Sequence, residues 1–320
     1  MPNLTPQELA AGRNVMKQCL GVKPSESVLI VTDPARSDLA GIFEEAAKEI
    51  TTKVEVVSFS GMTENAQEPS LEIAKKMKVA DVALLVTTYS LSHTQARKNA
   101  CKAGCRIASM PGITREMINR TLSADYTKIA QLSTKLAQIL TGADIARLTS
   151  PAGTNMRFDL TGRKGFADTG IYTKKGDWGN LPAGEACIGP IEGQTQGVLV
   201  INGAIAGIKL DQPIKVAIKN GLATKITGGK AAKNLIKTLD QIGTKARNIA
   251  ELGIGTNPLA KLSSDILEAE KVFGTCHVAL GSNISYGGQV DVPFHSDGIV
   301  LNPTLQIDAK IIIKAGKFLV

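Results

Sequence analysis

The stretch Ser27-Val-Leu-Ile-Val-Thr32 places four apolar residues, three of them β-branched, between polar ends. A short continuous apolar run of this kind predicts a strand that is buried on both faces of a parallel sheet. Three similar runs follow, at Lys53–Ser58, Asp81–Thr87 and Cys105–Ser109, and segments with a helical repeat accompany them at Asp38–Ile50, Ser70–Met77, Ser92–Ala103 and Thr114–Leu140. Strands that alternate with helices predict an open parallel α/β sheet, so we expect a Rossmann-like domain over residues 1–143.

The first turn after this strand reads Thr32-Asp33-Pro34-Ala35-Arg36 and contains no glycine. A dinucleotide-binding turn needs the Gly-x-Gly-x-x-Gly pattern, because only glycine lets the backbone approach a pyrophosphate closely. We therefore expect no dinucleotide cofactor.

Beyond residue 144 the sequence pattern changes to short β-like runs that glycine, proline, asparagine and aspartate residues interrupt. The predicted strands are Ala143–Leu148, Asn155–Leu160, Ala186–Ile191, Gly197–Ala204, Ile214–Lys219 and Thr275–Leu280, and the predicted helices are Gly229–Leu239 and Ser263–Lys271. This pattern predicts a second domain over residues 144–320, antiparallel, β-rich and of the α+β class.

Composition limits the possible partners. The net charge is +8, but the lysines are dispersed, and the densest run, Lys225–Arg247, is typical of a solvated helix face. Aromatic residues make up only 4% of the chain, which disfavours a single-strand stacking platform, so no nucleic-acid partner is expected. No apolar run approaches the roughly 20 residues of a membrane span, and the amino-terminal residues lack a signal-peptide pattern. We expect a cytoplasmic protein that does not bind membranes.

Two of the three histidines lie in the last 50 residues, and both are near carboxylates. In His295-Ser296-Asp297, an extended backbone would send the imidazole and the carboxylate to the same face, where either could bind a divalent metal. Taken alone, this pair is more typical of a hydrogen-bonded surface pair, and His277, within the apolar run Gly274–Gly281, is more typical of a core histidine.

Two glutamates sharpen the metal hypothesis. Glu251 lies in Ile-Ala-Glu-Leu-Gly-Ile-Gly, and Glu185 lies in Pro-Ala-Gly-Glu-Ala-Cys-Ile, so both have apolar neighbours. Burial of an unpaired carboxylate is costly, and a metal cluster would compensate for both. The residues thus predict that the second domain is a metal-binding domain.

Four motifs in sequence resemble the signatures of the aminopeptidase T (leucyl aminopeptidase) family of metallopeptidases, and they occur in the family's order: Trp178–Glu185, Ala250–Pro258, Gly274–Gly281 and Pro293–Gly298. Ser92–Arg97 and Ala108–Gly112 extend the resemblance into the first half of the chain. The resemblance implies a homodimer with a two-metal site. It assigns Glu185, Glu251, His277, His295 and Asp297 as the ligands of two divalent ions, Zn, Co or Mn.

By this resemblance the protein is a metalloaminopeptidase, a hydrolase that releases N-terminal, leucine-like residues from small peptides. A water activated by both metals would attack the scissile carbonyl, with Glu251 as a catalytic residue. Family members carry a tyrosine seven residues after the histidine that matches His277. Ile284 holds that position here, so we assign the catalytic tyrosine to Tyr286, the nearest one.

Three further residues are candidates for contact with substrate. His93 follows a predicted strand, with Ser92 as a plausible helix N-cap, although such a histidine is more often only a helix-start residue. Arg97, one turn later, could pair with a substrate carboxylate or with an acidic neighbour. Trp178 could cap a pocket, although packing is the more common role of a tryptophan.

Two alternatives stay open. A related group with similar C-terminal motifs consists of mononuclear non-haem iron enzymes that open a dihydroxypyridine ring with O₂. Their Fe(II) site resembles a facial triad, which here would be His277, His295 and Asp297. Glu185 and Glu251 favour the two-metal hydrolase. The second alternative is a non-catalytic metal-binding protein.

Overall fold

A computed structural model describes residues 4–263 and 266–320. Its α-helices are α1 Pro6–Asn14, α2 Ser37–Lys48, α3 Leu71–Val79, α4 Gln95–Lys102, α5 Arg115–Thr121, α6 Tyr126–Thr141, α7 Lys230–Ile242 and α8 Ile266–Ala269. Its strands are β1 Val28–Thr32, β2 Val54–Ser58, β3 Val82–Val86, β4 Arg106–Ser109, β5 Ile145–Thr149, β6 Asn155–Asp159, β7 Gly165–Asp168, β8 Trp178–Asn180, β9 Glu185–Ile188, β10 Gln196–Ile201, β11 Ile214–Lys219, β12 Leu222–Thr227, β13 Ile249–Gly255, β14 Cys276–Gly281, β15 His295–Val300, β16 Thr304–Ile307, β17 Lys310–Lys314 and β18 Lys317–Phe318. A π-helical turn, Val15–Cys19, extends α1, and short 3₁₀ turns occur at Thr244–Arg247 and Ile284–Tyr286.

The chain forms two compact units. The first consists of Met1–Lys128 and Gly170–Ala183, and the second of Ile129–Thr169 and Gly184–Val320. The first unit is therefore discontinuous, because the chain returns to it once after leaving it. That 1–143 and 144–320 behave as separable domains stays a prediction.

The first unit contains a parallel sheet with the strand order β2-β1-β3-β4-β8. Strand β1 is buried along its whole length between β2 and β3, as its continuous apolar run predicts. The apolar side chains of Leu29, Leu85 and Ile107 contribute to the core of this sheet. The open Rossmann-like α/β sheet is confirmed, and β8 adds a fifth strand that the sequence pattern does not reveal.

Helix α4 begins later than its sequence pattern predicts. Its N-cap is Thr94, whose side chain accepts a hydrogen bond from the backbone N–H of Arg97 at 3.2 Å. Ser92 is therefore not the cap: its Oγ lies 2.9 Å from both Ser109 Oγ and Asn180 Oδ1. His93 consequently lies in the turn that precedes the helix.

The second unit is built on two antiparallel sheets, an eight-stranded one with the order β12-β11-β10-β6-β5-β16-β17-β18 and a five-stranded one with the order β15-β14-β13-β9-β7. Side chains of both sheets, such as Leu148 and Phe158 from the first and Leu252 and Val278 from the second, belong to one apolar core. The expected antiparallel, β-rich α+β architecture is confirmed.

Both helices predicted in this unit are present, as α7 and α8. Helix α7 buries Leu235 and Leu239 and exposes Lys233 and Lys237, as expected for a helix with one solvated basic face. Of the helix predicted at Ser263–Lys271, residues 264 and 265 lie outside the described residues, and α8 covers Ile266–Ala269. None of the helices in residues 4–263 and 266–320 combines the length and the apolarity that a bilayer crossing requires.

Candidate metal centre

The five predicted metal ligands all project from the five-stranded sheet. Glu185 begins β9, Glu251 lies in β13, His277 lies in β14, and His295 and Asp297 lie in β15. These four strands are adjacent, in the order β15-β14-β13-β9. The cross-strand register pairs Ala279 with both Asp297 and Glu251, Gly253 with His277, and Gly255 with Glu185. Because residues that pair directly across strands share a face, the sheet brings all five donor side chains to one face.

A glycine makes room for one of these donors. Residues 251, 253 and 255 of β13 point to the same face, since successive side chains alternate. A Cβ atom on Gly253 would lie 1.9 Å from Nε2 of His277. The imidazole therefore lies directly over β13, and it can reach the two glutamates only because residue 253 has no side chain.

The donor atoms form two groups that share Glu251. Nε2 of His277 lies 3.4 Å from Glu185 Oε2 and 3.5 Å from Glu251 Oε1. Nε2 of His295 lies 3.1 Å from Glu251 Oε2 and 3.5 Å from Asp297 Oδ1. Within each group, Glu185–Glu251–His277 and Glu251–His295–Asp297, the ligand atoms all lie within 4.8 Å of one another.

This grouping differs from the triad expected for a mononuclear iron site. In the described residues, His277, His295 and Asp297 do not appear together as a compact set of three, whereas Glu251 completes a set with His295 and Asp297. Glu251 is 2% exposed and occupies the centre of the cluster. The cross-strand register of β13, β14 and β15 determines which of the five donor side chains lie close together.

The donors fit a divalent cation. Glu185 Oε2 and both ring nitrogens of His277 are buried and form no well-aligned hydrogen bond within the described part of the chain. A buried polar atom without a partner costs about 1–3 kcal/mol, and a divalent cation bound among these atoms would offset that cost. Carboxylate oxygens and imidazole nitrogens are suitable ligands for iron, zinc, cobalt and manganese.

A backbone carbonyl fixes the orientation of the His295 ring. Nδ1 of His295 lies 2.9 Å from the carbonyl oxygen of Ser282, and because a carbonyl can only accept, Nδ1 carries the proton and donates it. Nε2 is thereby the nitrogen that faces Glu251 and Asp297. Metal-binding histidines commonly have their second nitrogen held in this way.

The carboxylates and imidazoles of this cluster shift one another's pKa values. Burial opposes ionisation of Glu251, but the neighbouring His277 and His295 outweigh it and hold the pKa of Glu251 below its usual range. Burial tends to lower the pKa of His277, yet the carboxylates of Glu251 and Glu185 raise it to about 9. For Glu185, burial is the dominant effect and raises its pKa against the opposing influence of Lys271 and His277.

A buried lysine beside Glu185 has no counterpart in the sequence predictions. The Lys271 side chain is 3% exposed, and its Nζ lies 2.9 Å from Glu185 Oε1, 2.8 Å from Glu270 Oε1 and 3.3 Å from Asp168 Oδ2. A Cβ on Gly255 would lie 2.1 Å from the carbonyl oxygen of Val272, so a glycine also allows this segment to cross β13. Lys271 follows the charged run Glu268-Ala-Glu270, which by itself is typical of an exposed helix end.

Tyr286 contacts the centre through His295. Their rings stack with centroids 5.5 Å apart and an interplanar angle of 30°, and the edge of Phe166 packs against Tyr286. Burial, with a further contribution from the Glu251 carboxylate, raises the pKa of the Tyr286 phenol well above its ordinary value. Ile284 is half exposed and lies in the same 3₁₀ turn.

Glu192 anchors the loop that carries Tyr286. Its Oε1 accepts hydrogen bonds from Asn283 Nδ2 at 2.8 Å and from the backbone N–H of Gln289 at 2.7 Å. Arg163 forms an ion pair with the other carboxylate oxygen of Glu192. The loop between residues 283 and 289 is therefore held at both ends.

The three predicted substrate residues lie together in the first unit. The guanidinium carbon of Arg97 lies 3.7 Å from the centroid of the Trp178 ring, and the edge of His93 faces the same ring at 6.2 Å. Nε of Arg97 donates to the carbonyl of Ser92 at 2.6 Å. A guanidinium that stacks on an indole is a favourable contact in itself. The contact of these residues with substrate stays a prediction.

The fold and the donor cluster define an α/β protein with a β-rich second unit whose acidic and histidine side chains could hold a divalent ion. A family model described as NicX, 2,5-dihydroxypyridine 5,6-dioxygenase, matches residues 8–320, and the chain belongs to this family. No curated protein gives a significant match.

Two solved structures share the fold. One is a 2,5-dihydroxypyridine dioxygenase from Pseudomonas putida, with 21% identity and a TM-score of 0.83, in an alignment that covers 100% of this chain and 99% of that one. The other is wild-type AmpT from Thermus thermophilus, with 13% identity and a TM-score of 0.71, covering 98% of this chain and 99% of that one. The fold is therefore related to that of the aminopeptidase T family, as the motifs indicated.

The functional prediction drawn from those motifs is wrong. The family model is that of a dioxygenase, so the expectations of an aminopeptidase, a hydrolase and a protease are overturned in favour of the alternative. That Glu251 and Tyr286 are catalytic residues stays a prediction. The physical reason is that both families place similar motifs on one fold, so motif order identifies the fold and leaves the reaction undetermined.

Proposed function

We propose that this protein is a ring-opening dioxygenase that acts on a dihydroxypyridine-type substrate with one ferrous ion. The family to which the chain belongs supports the reaction class. The observation that carries the proposal is the donor group Glu251–His295–Asp297, one imidazole and two carboxylates within 4.8 Å of one another.

The spacing of these donors fits one divalent ion. Neighbouring ligands on an octahedral ion with bonds of about 2.1 Å are separated by about 3 Å. Nε2 of His295 lies 3.1 Å from Glu251 Oε2 and 3.5 Å from Asp297 Oδ1, close to that value. Glu251, His295 and Asp297 would hold the ion, and ferrous iron bound there would supply the electrons with which O₂ reacts with an aromatic ring.

The residues around this group have separate tasks. Ser282 holds His295 through Nδ1, so Nε2 stays directed at the two carboxylates. Glu251 stays ionised, since its neighbours hold its pKa below the usual range. Tyr286 keeps its phenolic proton at neutral pH and can donate it in a hydrogen bond to a hydroxyl or oxyanion of the substrate. The His295 side chain is 29% exposed, whereas those of Glu251 and Asp297 are buried, so access to this group is from the His295 side.

Oxygen uptake tests the proposal directly. The purified protein would be loaded anaerobically with Fe(II), mixed with 2,5-dihydroxypyridine and opened to O₂, with an oxygen electrode and the substrate absorbance as readouts. We expect one O₂ consumed per molecule of substrate, and His295→Ala and Asp297→Asn should lower the rate at least a hundredfold.

A matched control is Asp291→Asn, which removes an exposed carboxylate from the same segment. This variant should turn over like the wild type. The proposal fails if the iron-loaded wild type consumes no O₂ with this substrate, or if it releases leucine from a leucyl amide.

A further inference from the structure

We propose that the ammonium group of Lys271 occupies the second cation position of this centre, so that each chain binds one divalent ion. The inference deepens the proposed function, on which it rests for the role of that ion. It concerns the Glu185–Glu251–His277 group, the one that a second metal would need.

The surroundings of Lys271 resemble a cation site that is already filled. An ammonium group has three N–H donors and no acceptor. Here three carboxylates surround it: Glu185 Oε1 at 2.9 Å, Glu270 Oε1 at 2.8 Å and Asp168 Oδ2 at 3.3 Å. Each donor thus has an acidic partner, which is the condition for keeping a charged lysine away from water.

The ammonium lies next to the carboxylate that a second ion would have to share. Glu185 Oε1 contacts Lys271, which leaves Oε2 beside Nε2 of His277 at 3.4 Å. An ion bound to Oε2 would lie within a few ångströms of the ammonium in a buried setting. The repulsion between a divalent ion and a fixed positive charge at that distance is strong where the effective dielectric constant is low.

The contacts of the ammonium lie at the opposite end of the cluster from His295. His295 forms ion pairs with Glu251 and Asp297, whereas Lys271 forms them with Glu185, Glu270 and Asp168. One divalent ion at Glu251–His295–Asp297 and one ammonium at Glu185 would give both ends of the cluster a positive charge. The lysine is therefore a positioning residue, since it acts through Glu185 and sets the number of ions.

The test is metal stoichiometry, which needs no turnover. Metal-free protein would be dialysed against Co²⁺ alone, and bound cobalt per chain measured by elemental analysis. We expect one ion in the wild type and two in Lys271→Ala, because that substitution leaves space among three buried carboxylates. Lys233→Ala, which removes an exposed lysine of α7, should bind one ion.

Two results would overturn the inference: two ions of similar affinity in the wild type, or one ion in folded Lys271→Ala. If Lys271→Ala does not fold, Glu185→Gln decides, because the proposed ion does not require Glu185. That variant should keep one Co²⁺ with a Kd within about threefold of the wild type, and loss of the ion would contradict the inference. Failure of the proposed function would instead appear as absent O₂ uptake with this stoichiometry intact.

Discussion

The imidazole of His277 lies over Gly253 of the neighbouring strand, so close that a β-carbon on residue 253 would be 1.9 Å from Nε2. The side chain of His277 on β14 therefore fills the space that a side chain at residue 253 of β13 would otherwise occupy. This relationship leads to the first prediction.

Gly253→Ala should displace the imidazole and push it against Glu251. Overpacking a buried site costs about 1–3 kcal/mol, and we expect a loss of unfolding free energy in that range together with weaker Co²⁺ binding. Urea unfolding and metal titration measure both. Gly41→Ala in α2 is the control, since nothing lies within 4 Å of its added methyl, and it should be neutral or stabilising. Equal behaviour of the two variants would contradict the close packing of His277.

Metal binding should release protons and strengthen with pH. In the metal-free protein, burial opposes protonation of His295, but Asp297 and Glu251 outweigh it and raise the pKa of His295 well above its usual value. Nδ1 of His295 keeps its proton, which it donates to the Ser282 carbonyl. A metal can therefore bind at Nε2 only after Nε2 has lost its own proton. The metal-free state holds more protons, so higher pH favours the bound state.

We expect Co²⁺ affinity to rise up to about tenfold per pH unit for each proton released. Calorimetry at pH 7 in two buffers of different ionisation enthalpy counts the protons. Affinity that stays constant between pH 6.5 and 8.5 would rule out this account of His295.

The ion pair of Arg106 and Glu26 should make the first unit sensitive to acid. Nη1 and Nη2 of Arg106 donate to the two Glu26 oxygens at 2.9 and 2.7 Å, and the Arg106 side chain is buried. This contact holds the pKa of Glu26 below its usual range. The stabilisation is therefore complete above the unfolded-state pKa and is lost as the pH falls through the lower folded-state value.

Arg106→Met should cost about 3 kcal/mol at pH 7, because it leaves a partly buried carboxylate without its partner. It should cost less at pH 3. Urea unfolding at both pH values measures the difference, and Lys23→Met, at an exposed position nearby, should cost little at either. A cost that does not change with pH would mean that Glu26 does not titrate with the pair.

Trp178 can report on the predicted substrate residues, because it is the only tryptophan in the chain. The guanidinium of Arg97 covers its ring, so Arg97→Ala should change the fluorescence of the metal-loaded protein without substrate. If Arg97 and His93 contact substrate, anaerobic addition of 2,5-dihydroxypyridine should also quench the emission. We expect the apparent Kd to be at least tenfold weaker in Arg97→Ala.

Lys98→Ala on the same helix removes an exposed charge and should leave both signals unchanged. A wild-type Kd in Arg97→Ala would exclude this residue from substrate binding.

Local sequence pattern predicts much of the fold. The run from Ser27 to Thr32 differs by one residue from β1, Val28–Thr32, because four consecutive apolar side chains require burial on both faces. Strand β8 escapes prediction because Trp178-Gly-Asn180 is too short to show a period, and only its pairing with β4 makes it a strand. The N-cap at Thr94 was missed because Ser92, two residues earlier, is an equally good capping residue by type.

The sequence suggests the candidate donors but not their arrangement, and that they bind a metal stays a prediction. Glu185 and Glu251 stand out by their apolar neighbours, whereas His277 alone is more typical of a core histidine and joins the set through the resemblance. The grouping of Glu251 with His295 and Asp297 depends on strand register, which the residues themselves do not encode locally. Lys271 was not predicted because its local sequence suggests an exposed position. A lysine after two nearby glutamates is normally solvated, and only the crossing at Gly255 brings it inward.

The return of Gly170–Ala183 to the first unit sets an order of events during synthesis. Strand β4 is made long before its outer neighbour β8, and β5, β6 and β7 of the other unit are translated in between. Until residue 180 leaves the ribosome, β4 presents an unpaired edge that could template wrong association. A fragment that ends at residue 143 would keep that edge permanently, so the amino-terminal half should be expressed through residue 183 to complete its own sheet.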